Sequence, residues 1–244
     1  MNGLIAAAGL GTRLQDLGDR RNKVLLDLGG EAILSTILTH FEQAGISETL
    51  VTVGFDAPAV RTACGGRARC LLSPFFEHYG ILSSVWLARP FLDGCPFVFT
   101  PGDHYFAPAR LRSLLADQPE ADILVDVEIK DCDDEDMKVF LNRAGKLRTM
   151  SKAFLPGPVL GEFTGLVRFS AEGSAQFFDT LEKYAWQHGV AGYVADVLCA
   201  AHRKWELAFH LRDEHDRVEV DFPCDLTRAR LLYSQHRHPS KQTG

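Results

Sequence analysis

The stretch Gly3-Leu4-Ile5-Ala6-Ala7-Ala8-Gly9-Leu10-Gly11-Thr12-Arg13-Leu14 decides how the rest of the chain is read. Residues 3–7 are short and apolar, as expected of a strand buried on both faces of a parallel sheet. The small residues that follow let the backbone approach a ligand closely, and successive N–H groups there can cradle an anion. A P-loop is excluded, because the Gly-Lys-[Ser/Thr] ending is missing. The dinucleotide fingerprint is incomplete too, since Leu14 stands where its third glycine belongs.

Outward from this loop, apolar runs alternate with stretches of helical periodicity. Strands are expected at 3–7, 49–54, 70–72, 97–100 and 122–127, and helices at 32–44, 57–64, 81–90 and 107–116. Gly45 is placed to cap the first helix, and Pro90 is expected to end the third. This rhythm predicts an α/β fold, a Rossmann-like, mostly parallel sheet flanked by helices. The second half departs from it, with strands at 138–141, 147–150 and 165–169, helices at 171–187 and 193–203, strands at 205–211 and 217–220, and a final helix from Asp225. The expectation is a single domain over 1–233, a small antiparallel extension at about 126–165, and a flexible tail over 234–244. Ligands of such sheets bind beyond the carboxyl ends of the strands. The loop after Ala7, the pair Gly102-Asp103 and the segment Val220-Asp221 all fall at such ends.

Acidic residues number 32 against 26 Lys and Arg in 244 residues, a formal charge of −6. That balance excludes a sequence-blind nucleic-acid binder or a protein of acidic membrane surfaces. No apolar run is long enough for a spanning helix, and the start lacks the basic flank of a signal peptide. Six cysteines without a C-x-x-C pair read as thiols of a reducing cytoplasm, and nine scattered histidines argue against zinc. Homo-oligomerisation is left open by the sequence.

The opening motif continues into Lys23-Val24-Leu25-Leu26-Asp27-Leu28-Gly29-Gly30. Together the two segments resemble the signature of the nucleotidyltransferase superfamily of nucleotide-sugar and cytidylyl-type enzymes, roughly A-A-G-x-G-[ST]-R-[LM] and then a lysine opening a short strand and a small-residue turn. The resemblance implies a nucleotide-diphospho-sugar transferase-like fold and attack on an α-phosphorus with release of pyrophosphate. It places the nucleotide on Ala6, Ala7, Ala8, Gly9, Gly11 and Thr12. Arg13 would hold the β/γ oxygens with its fork, and Lys23 would neutralise charge at the α-phosphate or the acceptor. In that superfamily an aspartate beyond each of two strands binds Mg²⁺, which points to Asp103 and Asp221; Glu219 and Asp225 lie near enough to compete with Asp221.

Further segments narrow the branch. Tyr79-Gly80-Ile81-Leu82-Ser83-Ser84-Val85 resembles an N-x-x-S-[LV] element of phosphocholine and 2-aminoethylphosphonate cytidylyltransferases, with Gly80 where Asn is usual and Ser83 retained for the nucleotide. Asp134–Val139 resembles their D-x-x-x-K-V segment, Met150-Ser151-Lys152 their I-[GS]-K element, and Gly161-Glu162-Phe163-Thr164-Gly165 their G-E-x-x-G segment. Gly102-Asp103-His104 is also similar to CTP:inositol-1-phosphate cytidylyltransferases. The resemblance puts Lys138, Lys152, Glu162 and Gly165 at the acceptor, with Trp86, Tyr105 and Phe154 as candidate aromatic walls for a cationic head group. The function expected is a Mg²⁺-dependent cytidylyltransferase joining CMP from CTP to a small phosphonate or phosphate monoester. The alternatives are an inositol-1-phosphate or sugar-1-phosphate nucleotidyltransferase, a non-catalytic nucleotide-sensing subunit, and a nicotinamide oxidoreductase, which the incomplete fingerprint disfavours.

Overall fold

The computed structural model describes residues 1–11 and 21–237. Strand β1 (Asn2–Ala7) occupies the middle of the sheet. Its neighbours Leu4 and Ile5 are both fully buried but face opposite ways, so one packs into each of the two core clusters. A single 3-10 turn (Lys23–Leu25) and helix α1 (Ile33–Gln43) follow, then β2 (Glu48–Val53), α2 (Ala57–Cys64) and β3 (Arg69–Leu72). These place β2 and β3 successively on one side of β1, all parallel. Helix α3 (Ile81–Leu92) crosses back, and β4 (Phe97–Pro101) enters on the other side of β1, again parallel. The chain thus changes direction of travel across the sheet between β1 and β4, and a crevice opens beyond their carboxyl ends.

Then come β5 (His104–Phe106), α4 (Pro108–Ala116), β6 (Ile123–Glu128), β7 (Lys138–Leu141), β8 (Leu147–Ser151) and β9 (Val159–Phe169). Helices α5 (Ala171–His188) and α6 (Val194–His202), strands β10 (Leu207–Arg212) and β11 (Arg217–Glu219), and helix α7 (Pro223–Arg237) complete the order. The large sheet runs β10-β6-β9-β4-β1-β2-β3, with β7 on β9 and β8 on β7. β9 is antiparallel to both β4 and β6 and lies between them. The paired residues Phe97 and Phe169 stack with ring centroids 4.4 Å apart. The chain therefore has the expected Rossmann-like α/β architecture, with β7, β8 and the first half of β9 as its antiparallel addition.

Five readings of the sequence need correction. Helix α3 passes Pro90 and ends at Leu92, because a proline in the last turn removes one bond while Asp93 N still donates to the Arg89 carbonyl at 3.0 Å. Lys23 opens a 3-10 turn, not a strand, since the side chain of Asn22 caps it by accepting from Val24 N at 3.2 Å. β9 begins at Val159, six residues before the expected start. The three-residue β5 is unanticipated; it exists through antiparallel pairing with the distant β11. The segment expected to be a flexible tail begins as helix: α7 runs to Arg237, held where Tyr105 meets His236 at 2.9 Å. No helix among the described residues is long and apolar enough to cross a membrane.

Candidate active site

The glycine loop is tied down at three points. Gly102 N donates to the Ala6 carbonyl at 2.8 Å, and a Cβ on Gly102 would stand 2.8 Å from that oxygen, so only glycine lets β4 turn there. Asn22 is buried, and its amide donates to the carbonyls of Ala7 and Phe55, both at 2.8 Å. That leaves its oxygen for Val24 N and aims the next residue, Lys23, across the crevice. The Lys23 ammonium pairs with Asp221 and lies 3.8 Å from the Asp103 carboxylate.

Pairing of β5 with β11 brings the carboxylates together. Glu219 opposes His104, and Val220 N donates to the Asp103 carbonyl at 2.9 Å. Asp103, Glu219 and Asp221 each offer an oxygen within 4.8 Å of the others. Asp225 is turned elsewhere: it accepts from Phe222 N at 2.8 Å and Asp221 N at 3.2 Å, starting α7. His104 bridges Asp103 (Nδ1–Oδ1 3.1 Å) and Glu219 (Nε2–Oε2 3.5 Å). Burial works against its charge, but Glu219 and Asp103 outweigh it and push the imidazole up to about 9. Burial likewise works to raise the Asp103 and Glu219 carboxyls, yet His104 holds both below the ordinary range. Clustered carboxylate oxygens are hard donors, and they fit a small divalent cation.

Three adjoining cavities open around this cluster. The first, about 210 Å³, has Ala6, Ala7, Ala8, Gly9 and Gly11 on one wall and Phe76, Tyr79 and Ser84 on another. The second, about 310 Å³, is lined by Lys152, Glu162, Gly165, Phe163 and Tyr193 among others. They share Gly80, Ile81, Pro101 and Asp103. The third, about 530 Å³, shares Glu135, Lys152, Glu162 and Glu219 with the second and also meets Asp221, Lys130 and Arg217.

Most of the sequence-selected residues therefore converge, while several do not. Thr12 and Arg13 lie outside the described residues. Ser83 is not in the lining; its hydroxyl donates to the Gly80 carbonyl at 2.8 Å inside the first turn of α3, and Ser84 faces the cavity instead. Lys138 is fully buried and lines none of the three cavities: its ammonium donates to the carbonyls of Lys152 (2.6 Å) and Asp136 (3.1 Å). Of the proposed aromatic walls, Tyr105 is buried in the core, Trp86 packs against the core beside Arg89, and Phe154 lies over the Lys138 ammonium at 4.2 Å. The aromatic side chains that line the second cavity are instead Phe163 and Tyr193, with His104 and Phe99. Gly80, where the resembled pattern has Asn, has the carbonyls of Ala191 and Gly192 within 3.2 and 3.4 Å of any Cβ, so the close approach of that loop excludes a longer side chain without rearrangement.

Asn22 and Arg217 were missed. Arg217 is buried and paired with Glu128 at 2.9 Å and with Glu162, which also accepts from Lys130 at 3.2 Å. Burial opposes the Arg217 charge, but Glu162 and Glu128 raise its pKa further. The signal was present in Arg217-Val218-Glu219-Val220-Asp221, where polar and apolar residues alternate as on a half-buried strand.

A family model described as the MobA-like NTP transferase domain matches residues 3–155. The CMP-5'-(3-aminopropyl)phosphonate synthase of Streptomyces rubellomurinus is 29% identical over 267 residues, 98% of this chain and 40% of that protein. The choline-phosphate cytidylyltransferase of Haemophilus influenzae is 40% identical over 100 residues, 39% of this chain and 41% of that protein. The chain thus spans well under two thirds of the length of these relatives. Among solved structures, the inositol-1-phosphate CTP transferase from T. maritima superposes with a TM-score of 0.78 at 19% identity, covering 97% of this chain and 96% of the other. The CTP:phosphocholine cytidylyltransferase from Streptococcus pneumoniae gives 0.75 at 14% identity, covering 95% and 98%. These two likenesses establish the fold.

Proposed function

The chain belongs to the MobA-like NTP transferase family, and from that membership we propose that it is a cytidylyltransferase acting on a small phosphonate or phosphate monoester with a cationic head group. The observation that carries the reading is the position of Asp103: it lines both the first and the second cavity and belongs to the carboxylate cluster beside Lys23. A nucleotide in the first cavity and an acceptor in the second would meet there.

In this reading the amides of residues 7–11 take the phosphates of CTP, and Arg13 takes the β/γ oxygens as its motif implies. Lys152 orients the acceptor's phosphonate, while Glu135, Glu162 and Glu219 complement its ammonium. The acceptor oxygen is already ionised near neutral pH, so no general base is required. It attacks the α-phosphorus, the bond to the β-phosphate oxygen breaks, and pyrophosphate leaves with the electron pair. Lys23 supplies positive charge where negative charge accumulates. A Mg²⁺ on Asp103 and Asp221, with Glu219 beside them, would neutralise phosphate oxygens in the same place. Shared aminoalkylphosphonate and phosphocholine chemistry among relatives favours 2-aminoethylphosphonate or a homologue as acceptor, then phosphocholine.

The test is pyrophosphate release with each of four nucleoside triphosphates against aminoalkylphosphonates, phosphocholine, inositol phosphate and sugar 1-phosphates, with Mg²⁺. Release with CTP and a zwitterionic acceptor is expected. Release confined to UTP or dTTP with a sugar phosphate overturns the reading.

A further inference from the structure

Lys138 is a buried cation that the proposed chemistry leaves unused. Among the described residues its ammonium meets two main-chain carbonyls, of Asp136 and Lys152, and the ring face of Phe154, but no carboxylate. An ammonium taken out of water is costly, and an apolar side chain of similar volume could fill the same space without that cost. What the ammonium adds is a tie between two stretches of chain. One is the loop 131–137, which carries Glu135 and Met137 into the second cavity. The other is the turn after β8, which carries Lys152 into the same cavity. On β7, Lys138 itself stands opposite Ser151 of β8 and Glu162 of β9. Of the three groups that would face a zwitterion, Lys152 and Glu135, 3.6 Å apart, thus stand on the two stretches that Lys138 ties together, while Glu162 is held separately by Arg217 and Lys130.

We propose that Lys138 is a positioning residue for the acceptor: by bracing the 131–137 loop against the turn at Lys152, it fixes the spacing between one cation and two carboxylates and so sets the length of zwitterionic acceptor that fits. The inference rests on the reading of the second cavity as the acceptor's. Lys138 touches neither substrate, so its effect falls on acceptor selection and spares the nucleotide.

The experiment compares wild type with Lys138→Met and with the milder Phe154→Ala, which uncovers the ammonium while leaving it in place. Steady-state kinetics use CTP with 2-aminoethylphosphonate and with 3-aminopropylphosphonate. Amide hydrogen exchange is followed in the same proteins without substrate. In Lys138→Met the KM of the preferred phosphonate should rise about tenfold or more, with the preference between the two chain lengths narrowed and the KM for CTP within about twofold. Exchange should quicken over 131–137 and 151–155 and stay unchanged in β1 and β4. Phe154→Ala should shift the same quantities in the same direction by less. A folded Lys138→Met with wild-type acceptor KM and wild-type exchange in both segments overturns the proposal, as does an equal rise in both KM values. If wild type turns over neither phosphonate nor phosphocholine, the acceptor reading falls by itself, and unchanged exchange in the variant then removes the brace as well.

Discussion

Lys23 stands between Asp103 and Asp221, so either carboxylate can be neutralised at the expense of the other's share of its charge. Replacing Asp221 by Ala is expected to lower turnover by at least about a hundredfold, the scale of losing one charge-stabilising group at a transition state, with circular dichroism and melting temperature close to wild type. Asp225→Ala, four residues on, should do the reverse. It removes the cap that accepts from Phe222 N and costs about 1 kcal/mol of stability, while losing far less turnover than Asp221→Ala. Wild-type turnover in the Asp221 variant removes it from the site. Behind β5, His40 is buried against the rings of Tyr105 and Phe106, its Nδ1 finds no partner among the described residues, and burial pushes its imidazole down to about 4. A depressed histidine contributes stability that is full above the ordinary value of 6.5 and is lost as pH falls toward 4, because the unfolded chain takes up the proton first. Urea unfolding at pH 7 and pH 5 should therefore show a loss in wild type that is larger, by about 2 kcal/mol, than the loss in His40→Leu. Equal losses in the two proteins rule this out. At this scale the meeting of Asp103 with Asp221 could be expected from the family resemblance, which sets an aspartate beyond each of two strands, and the two carboxylates do come together. The places of Lys138 and Ser83 could not, because nothing in a local sequence says which side of a strand will be roofed, or which of two adjacent serines faces outward from a helix.

Elements with strong local punctuation were legible to the residue. Helix α2 begins with Pro58 in its first turn and closes at Gly65, and β7 ends before the turn at Ala144-Gly145. β5 and the 3-10 turn at Lys23 were not legible, since each is defined by partners far away or by one capping side chain. The 3-10 turn shows how much one side chain can decide. Asn22 joins the end of β1, the segment after β2 and the start of the turn through three hydrogen bonds. Asn22→Ala strands two carbonyls and should cost about 2–3 kcal/mol. Because the glycine loop and Lys23 hang from the same joint, the KM for CTP should rise more than that for the acceptor. A variant with unaltered stability and unaltered KM for CTP denies Asn22 that role.

Over the whole molecule, a charge of −6 gave no hint of a phosphate site, because the charges that matter are gathered at one end of the sheet from residues 23, 103, 219 and 221. A divalent cation that binds only when those segments are assembled stabilises the folded state, by about 2.7 kcal/mol at a hundred times its dissociation constant. Added Mg²⁺ should thus raise the melting temperature of wild type, EDTA should reverse the rise, and Asp103→Asn should abolish most of it. An identical rise in that variant places the ion elsewhere. The parallel half of the fold was readable from periodicity, whereas the placement of β9 was not, because a strand made after β6 inserts between β6 and β4. That insertion imposes an order on synthesis. When the ribosome has delivered the chain through Glu128, β4 waits with one open edge and β6 with two, since β9 and β10 are both still to come, and Phe97 has no ring to stack upon. Some forty further residues must emerge before β9 can close the gap. The nascent protein therefore passes through a stage with sticky edges facing one another, and the parallel half cannot finish its own sheet until the strand that also carries Glu162, Phe163 and Gly165 has arrived.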